Sequence, residues 1–242
     1  ATVPGSGVEI SGNSFLALGD AIVAGVDGLQ VLHNQIAAFK PPGSGLGVVL
    51  VEGLAGSLGL ADCLVAGNRI GGLKIGVYVQ APLASTQIRD NQIDRCGIGI
   101  LADKQRPVRE LAVEGNQLTQ METAAIVLQA MMGDDARRRI SVCGNQFDSA
   151  SDDPGVHVSF RGGDVLFADN HGDHPRSSQP VVLLEAHSLV VASNRITGGS
   201  QFSMELRPTH KNAYTAVGNL TSGNITHNGG ALEPKWIPLN PV

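Results

Sequence analysis

The seven residues Ala112-Val113-Glu114-Gly115-Asn116-Gln117-Leu118 decide how the chain folds, because their pattern recurs along its length. An apolar residue stands three before the Asn and another two after it, with a turn-forming residue immediately before it. Eight further stretches follow the same plan, placing Asn13, Asn34, Asn68, Asn91, Asn145, Asn170, Asn194 and Asn219 in register with Asn116. Successive Asn residues lie 21 to 34 positions apart, about 26 on average. Self-similarity at this period marks a solenoid, in which each repeat is one coil that cannot bury its apolar face alone.

Two-residue alternation makes the coils strands. Three before the Asn stand Ile10, Val31, Val65, Ile88, Val113, Val142, Phe167, Val191 and Ala216, all apolar. Two positions earlier, the run Val8, Leu29, Cys63, Thr86, Leu111, Ile140, Val165, Leu189 and Tyr214 extends the same inward face. After the Asn, Phe15, Ile36, Ile70, Ile93, Leu118, Phe147 and Ile196 point inward again. Between the two inward positions the residue before the Asn is Gly in five repeats, and Asp or Ser in three more. These residues tolerate positive φ, so the chain bends sharply without breaking the layer. Stacked Asn side chains are expected to hydrogen-bond from coil to coil as a ladder.

A second apolar segment follows at variable distance, as in Val48-Val49-Leu50, Val77-Tyr78-Val79 and Ile126-Val127-Leu128, and loops fill the difference. The place of residues 119–131 in the repeat predicts strand there rather than helix. A Leu lattice with a helical back, as in leucine-rich repeats, is absent. The reading is an all-β, right-handed parallel β-helix of about nine coils, roughly 40 Å long at ordinary strand spacing. Residues 1–228 form the solenoid, and 229–242, with three prolines and the single Trp236, form a cap or docking tail. Trp236, Ile237 and Leu239 are expected to seal the last coil. At the other end, residues 1–7 lead directly into the first coil, so a partner or a parent-chain segment is expected to cover it. The Gly43-Ser44-Gly45-Leu46-Gly47 stretch is read as a flexible loop.

Composition narrows the function. The formal charge is −5 and aromatics make up 4%, which leaves no cationic surface or stacking platform for nucleic acid. No apolar run reaches a membrane span, and no leader pattern stands at Ala1. Cys63, Cys96 and Cys143 have no metal-type spacing and are read as buried hydrophobes.

The xGNxI turn phrase and its period resemble the right-handed parallel β-helix proteins of the pectate-lyase-like superfamily, across roughly residues 8 to 226. The final GNLTSGNI coil and the tail after it also resemble the ends of β-helix proteins that accompany bacterial phage-tail-like injection systems. These resemblances imply a surface or extracellular assembly, polysaccharide as ligand, and homo-oligomers, trimeric as in tail spikes. They name no catalytic set: neither the paired-Asp and GHG pattern of polygalacturonases nor the DPHD of alginate epimerases occurs.

Candidate ligand-binding residues come from the loops. Arg137, Arg138, Arg139 and Arg161 form part of a basic strip, Asp152 and Asp153 lie in one long loop, and His171, Asp173, His174 and Arg176 lie in the next. A uronate lyase needs a base for the C5 proton and a cation beside the carboxylate, and such groups are available here. Calcium is implied only if the chain is an enzyme; otherwise no cofactor and no metal is expected. His171, Asp173 and His174 hold the residue types of a transition-metal site without rigid spacing. The function expected is a non-enzymatic structural and binding module, with a polysaccharide lyase, epimerase or hydrolase acting on an acidic glycan as the alternative.

Overall fold

A computed structural model describes residues 7–41, 43–52, 60–102, 107–130, 138–149, 153–174, 179–198, 202–209, 214–228 and 230–231. These residues form strands and turns and no helix. The first coil shows the plan: β1 (Glu9–Ser11) ends at the Asn turn, β2 (Ser14–Ala17) follows it, and β3 (Ile22–Ala24) closes the circuit. Each strand pairs in parallel with its counterpart one coil on, β1 with Gln30–Leu32, β2 with Gln35–Ala38 and β3 with Leu46–Leu50. The strands after the turns make one nine-stranded parallel sheet, a strand for each Asn. The rest make a seventeen-stranded sheet, joined because Val156–Ala168 and Val182–Ala192 run from the third segment of one coil into the first segment of the next. Of residues 119–131, those described lie in strands Gln117–Met121 and Ala124–Ala130 with a bend at Glu122 and Thr123 between them, in agreement with the strand reading.

The interior is one apolar stack, mostly aliphatic. Val31, Val65, Ile88, Val113, Val142, Phe167 and Val191 are buried in register, as are Ile36, Ile70, Ile93, Leu118, Phe147 and Ile196 from the nine-stranded sheet. All nine residues before the Asn have positive φ, between 54° and 66°, including His33, Asp90, Asp169 and Ser193. The bend is therefore a backbone requirement of every coil, met without strain where Gly supplies it and at some cost where a side chain does.

The Asn ladder is complete. The backbone N–H and Nδ2 of Asn91 both donate to Oδ1 of Asn116, at 3.1 and 3.0 Å, and those of Asn116 donate to Oδ1 of Asn145 at 3.0 Å each. The second Nδ2 hydrogen of Asn116 goes to the carbonyl of Ile88 in the preceding coil, at 2.9 Å. The same three bonds recur from Asn34 to Asn194. A buried Asn thus uses both donors and both lone pairs of its amide, the condition for polar groups at 1% exposure or less.

Glycines also shape a corner. Gly47 belongs to strand Leu46–Leu50 and stacks in register with Gly76 and Gly99. A Cβ on Gly76 would lie 2.7 Å from the Gly99 carbonyl oxygen and 2.7 Å from Ile93 Cγ2. This corrects the flexible-loop expectation: a Cβ on Gly45 would meet the Gly19 carbonyl oxygen at 2.0 Å, so the stretch is closely packed from Gly45 on. Trp236, Ile237 and Leu239 lie outside the described residues.

Replacing Asn116 by Ala leaves the donors of Asn91 without acceptors inside the core. Denaturant unfolding should show a loss of about 3 kcal/mol, whereas Gln117→Ala on the exposed side should cost less than ~0.5 kcal/mol. Gly115 holds φ +64°, and a Cβ there would stand 2.7 Å from Asp90 Oδ1. Gly115→Val should therefore lower stability by about 1–3 kcal/mol, read as a fall in Tm.

Candidate functional site

On the outer face of the seventeen-stranded sheet, side chains at matching positions stack in rows. The middle row runs Gln87, Ala112, Ser141, Leu166. Two small residues between longer neighbours make a notch of about 240 Å³, lined by Gln87, Glu110, Ala112, Glu114, Arg139, Ser141 and Leu166. The lining is mostly polar, and its volume is below that of sites for drug-sized ligands. Ser141 Oγ donates to Glu114 Oε1 at 3.2 Å, fixing one wall. On the other, Arg139 stands in register between Glu110 and Asp164, yet among the described residues no carboxylate approaches its guanidinium within 4 Å. The Asp164 carboxylate is engaged instead by the Ser188 hydroxyl. The notch therefore offers an exposed guanidinium, two carboxylates, an amide and a hydroxyl on a rigid sheet.

The other sequence-derived candidates scatter. Arg138 is 7% exposed, with Nε unpartnered among the described residues, so it belongs to the interior of the corner rather than to an exposed strip. Arg161 lies on strand Val156–Ala168, close to the corner where Arg139 begins its own strand. Asp153 is exposed ahead of Val156, at the far end of the segment Val156–Phe160. Arg139 and Asp153 thus flank different corners of the coil and do not converge on one sugar site. Arg137, Asp152 and Arg176 lie outside the described residues.

The His171-Gly172-Asp173-His174 stretch is not a loop but a strand, and alternation splits it. His171 and Asp173 face outward, where Asp173 Oδ1 accepts from Thr197 Oγ1 at 3.1 Å. His174 faces inward at 0% exposure, and among the described residues neither its ring nitrogens nor the nearby buried Ser149 hydroxyl has a hydrogen-bond partner. Both border Gly155, whose Cβ would stand 3.0 Å from Ser149 Oγ and 3.2 Å from His174 Cδ2. The three side chains therefore do not share a face: His171 and Asp173 stand outward and His174 inward. Among the described residues no group of three or more His, Cys, Asp or Glu is placed to hold one.

The thiols are poor nucleophiles. Burial pushes Cys96 up to about 11, outweighing its backbone hydrogen bonds, and burial also raises Cys63 and Cys143. Cys143 departs from the buried-hydrophobe expectation, being half-buried on the outer row between Glu114 and Ala168.

Sequence reasoning missed Glu110, Glu114 and Gln87, because what joins them is cross-strand register. The signal available was the small residue four before the Asn, Ala112 and Ser141, in two successive repeats. No family model matches the chain, and no curated protein or solved structure matches it. Among the described residues no helix is long and apolar enough to cross a membrane.

A thiol raised in the folded state holds its proton while the unfolded chain ionises. The stability linked to Cys96 is therefore intact below pH 9 and is lost between pH 9 and about 11. Thermal unfolding across that window should fall more steeply for the natural chain than for Cys96→Ala.

Proposed function

We propose that the chain is a structural and binding β-solenoid module of a larger bacterial or phage-like surface assembly, engaging polysaccharide through the notch over Ala112 and Ser141. The observation that carries this reading is the Arg139 guanidinium, exposed and unpaired among the described residues beside Glu110, Glu114, Gln87 and Ser141. Such a set suits hydroxyl-rich ligands: guanidinium and amide donate, carboxylates accept, and no group need be buried without a partner. The rigid ladder beneath holds these side chains at fixed strand spacing, which suits a repeating polymer. The resemblance to pectate-lyase-like and injection-system β-helices points the same way, toward a surface location with a protein partner or a parent-chain segment on the N-terminal end. The separation of Arg139 from Asp153 supports binding over turnover.

A second reading, a lyase, epimerase or hydrolase acting on an acidic glycan, rests on Glu110 and Glu114 flanking the same notch as Arg139. In it one carboxylate serves as base and Arg139 neutralises the uronate.

The test is titration with a panel of neutral and acidic polysaccharides, alongside assays for unsaturated products and new reducing ends. Binding without product is expected, weakened about tenfold or more by Arg139→Ala with Tm unchanged within ~1 °C. Product formation abolished by Glu110→Gln would move the assignment to the enzyme. Binding indifferent to Arg139 would remove the notch from the account.

A further inference from the structure

The charges around the notch over Ala112 and Ser141 do not balance. Its lining sets one guanidinium, Arg139, against two carboxylates, Glu110 and Glu114. A third carboxylate adjoins it, because Arg139 stands in register with Glu110 on one side and with Asp164 on the other. Arg89 is in register with Glu114 but pairs with Asp90 at 2.9 Å, so its charge is already matched. Cys143, in register with Glu114 and two residues beyond Ser141, samples the resulting field. Burial is the main cause of its raised thiol, but among the charged groups Glu114 and Asp169 each raise it more than Arg139 lowers it. The chain as a whole carries a formal −5, so the long-range field has the same sign.

Strand geometry distributes these groups. Glu110 and Glu114 stand at the two ends of one strand, both exposed, about 13 Å apart at ordinary rise, with the short side chain of Ala112 midway between them. Glu110 has no ion-pair partner among the described residues, and Glu114 is held by the Ser141 hydroxyl at 3.2 Å through Oε1 alone. The floor at Ala112 therefore leaves room for one small cationic group flanked by two carboxylates. Gln87 stands beside it on the strand of one neighbouring coil, and Arg139 and Ser141 on the strand of the other.

This arrangement discriminates among ligands. A uronate seated on Arg139 would lie about one strand spacing from Glu110 and from Asp164, two repulsions against one attraction. A neutral sugar would leave the Glu110 carboxylate without a charged partner. A wholly cationic peptide would meet the Arg139 guanidinium with like charge and would offer no hydroxyls to the donors beside it. We infer that the notch selects a polysaccharide of basic amino sugars, with a free primary ammonium over Ala112 donating to Glu110 and Glu114. Hydroxyl and ring oxygens of the same glycan accept from Arg139 and Gln87. This rests on the proposed polysaccharide reading and reverses the ligand charge expected from the basic strip.

The test is calorimetric titration at about pH 5.5, where the sugar amine is protonated and Glu is ionised. The probes are a glucosamine oligomer, its fully N-acetylated counterpart, an oligogalacturonate of equal length and an oligolysine of equal charge. The glucosamine oligomer should bind at least about tenfold more tightly than each of the others. Glu110→Gln combined with Glu114→Gln, both on the exposed face, should cut that preference to about twofold or less with Tm unchanged within ~1 °C. Raising the salt from about 50 mM to about 500 mM should weaken the glucosamine oligomer and leave the N-acetylated one within about twofold. Equal or tighter binding of the N-acetylated or galacturonate oligomer would overturn the inference while leaving the polysaccharide reading in place. Oligolysine binding as tightly as the glucosamine oligomer would overturn it in favour of a basic peptide. A preference for glucosamine that survives the double substitution would overturn the assignment to this notch. Absence of binding by every saccharide would overturn both this inference and the reading on which it rests.

Discussion

Everything in this solenoid depends on one amide stacked above another. An Asn at a turn must place its backbone N–H and both side-chain functions inside a closed coil, where an unmatched polar group costs on the order of 1–3 kcal/mol. The only arrangement that satisfies all of them repeats at every coil, with Oδ1 accepting twice from one neighbour and Nδ2 dividing between the two neighbours. That arrangement fixes the turn at positive φ, sets the two flanking apolar residues inward, and locks coil against coil in a single register. Loops of different length leave the ladder untouched, because they emerge elsewhere on the circuit.

A rigid column of this kind has consequences for its surface and its ends. Along the outer face, register converts sequence positions 25 to 29 residues apart into neighbours, so Gln87, Ala112, Ser141 and Leu166 line up without any local motif. The ladder also has a direction, each Asn donating toward the coil that follows it, and beside the last described coil Asn224–His227 pairs antiparallel with Gly230–Ala231. The polar notch and the direction of the ladder are both products of the same stacking.

The fold was legible because its signal recurs nine times: a single GNQL phrase is an ordinary turn, but nine in register leave few alternatives. The ladder and the parallel strands follow from that repetition. Positive φ at His33 was not legible, since His carries no turn preference and only the stacking demands the bend. The candidate site was legible only in fragments. Arg139 was singled out for its charge, but adjacent Arg138 is buried, because one residue's shift along a strand reverses the face it presents. His171 and His174 diverge for the same reason, once the segment is a strand and not a loop. Glu110 and Glu114 went unnoticed because charges at alternate outward positions are ordinary on a strand, and only the cross-strand neighbour Ser141 gives them a shared setting.

Native-state hydrogen exchange of the nine Asn residues tests the central claim most directly, since it reads each rung separately. If the ladder holds the coils together, the backbone and side-chain amides of Asn68, Asn91, Asn116, Asn145 and Asn170 should exchange only through global unfolding, and those of the exposed Asn13 markedly faster. Interior Asn amides that exchange as fast as that of Asn13, in a protein otherwise folded, would contradict it.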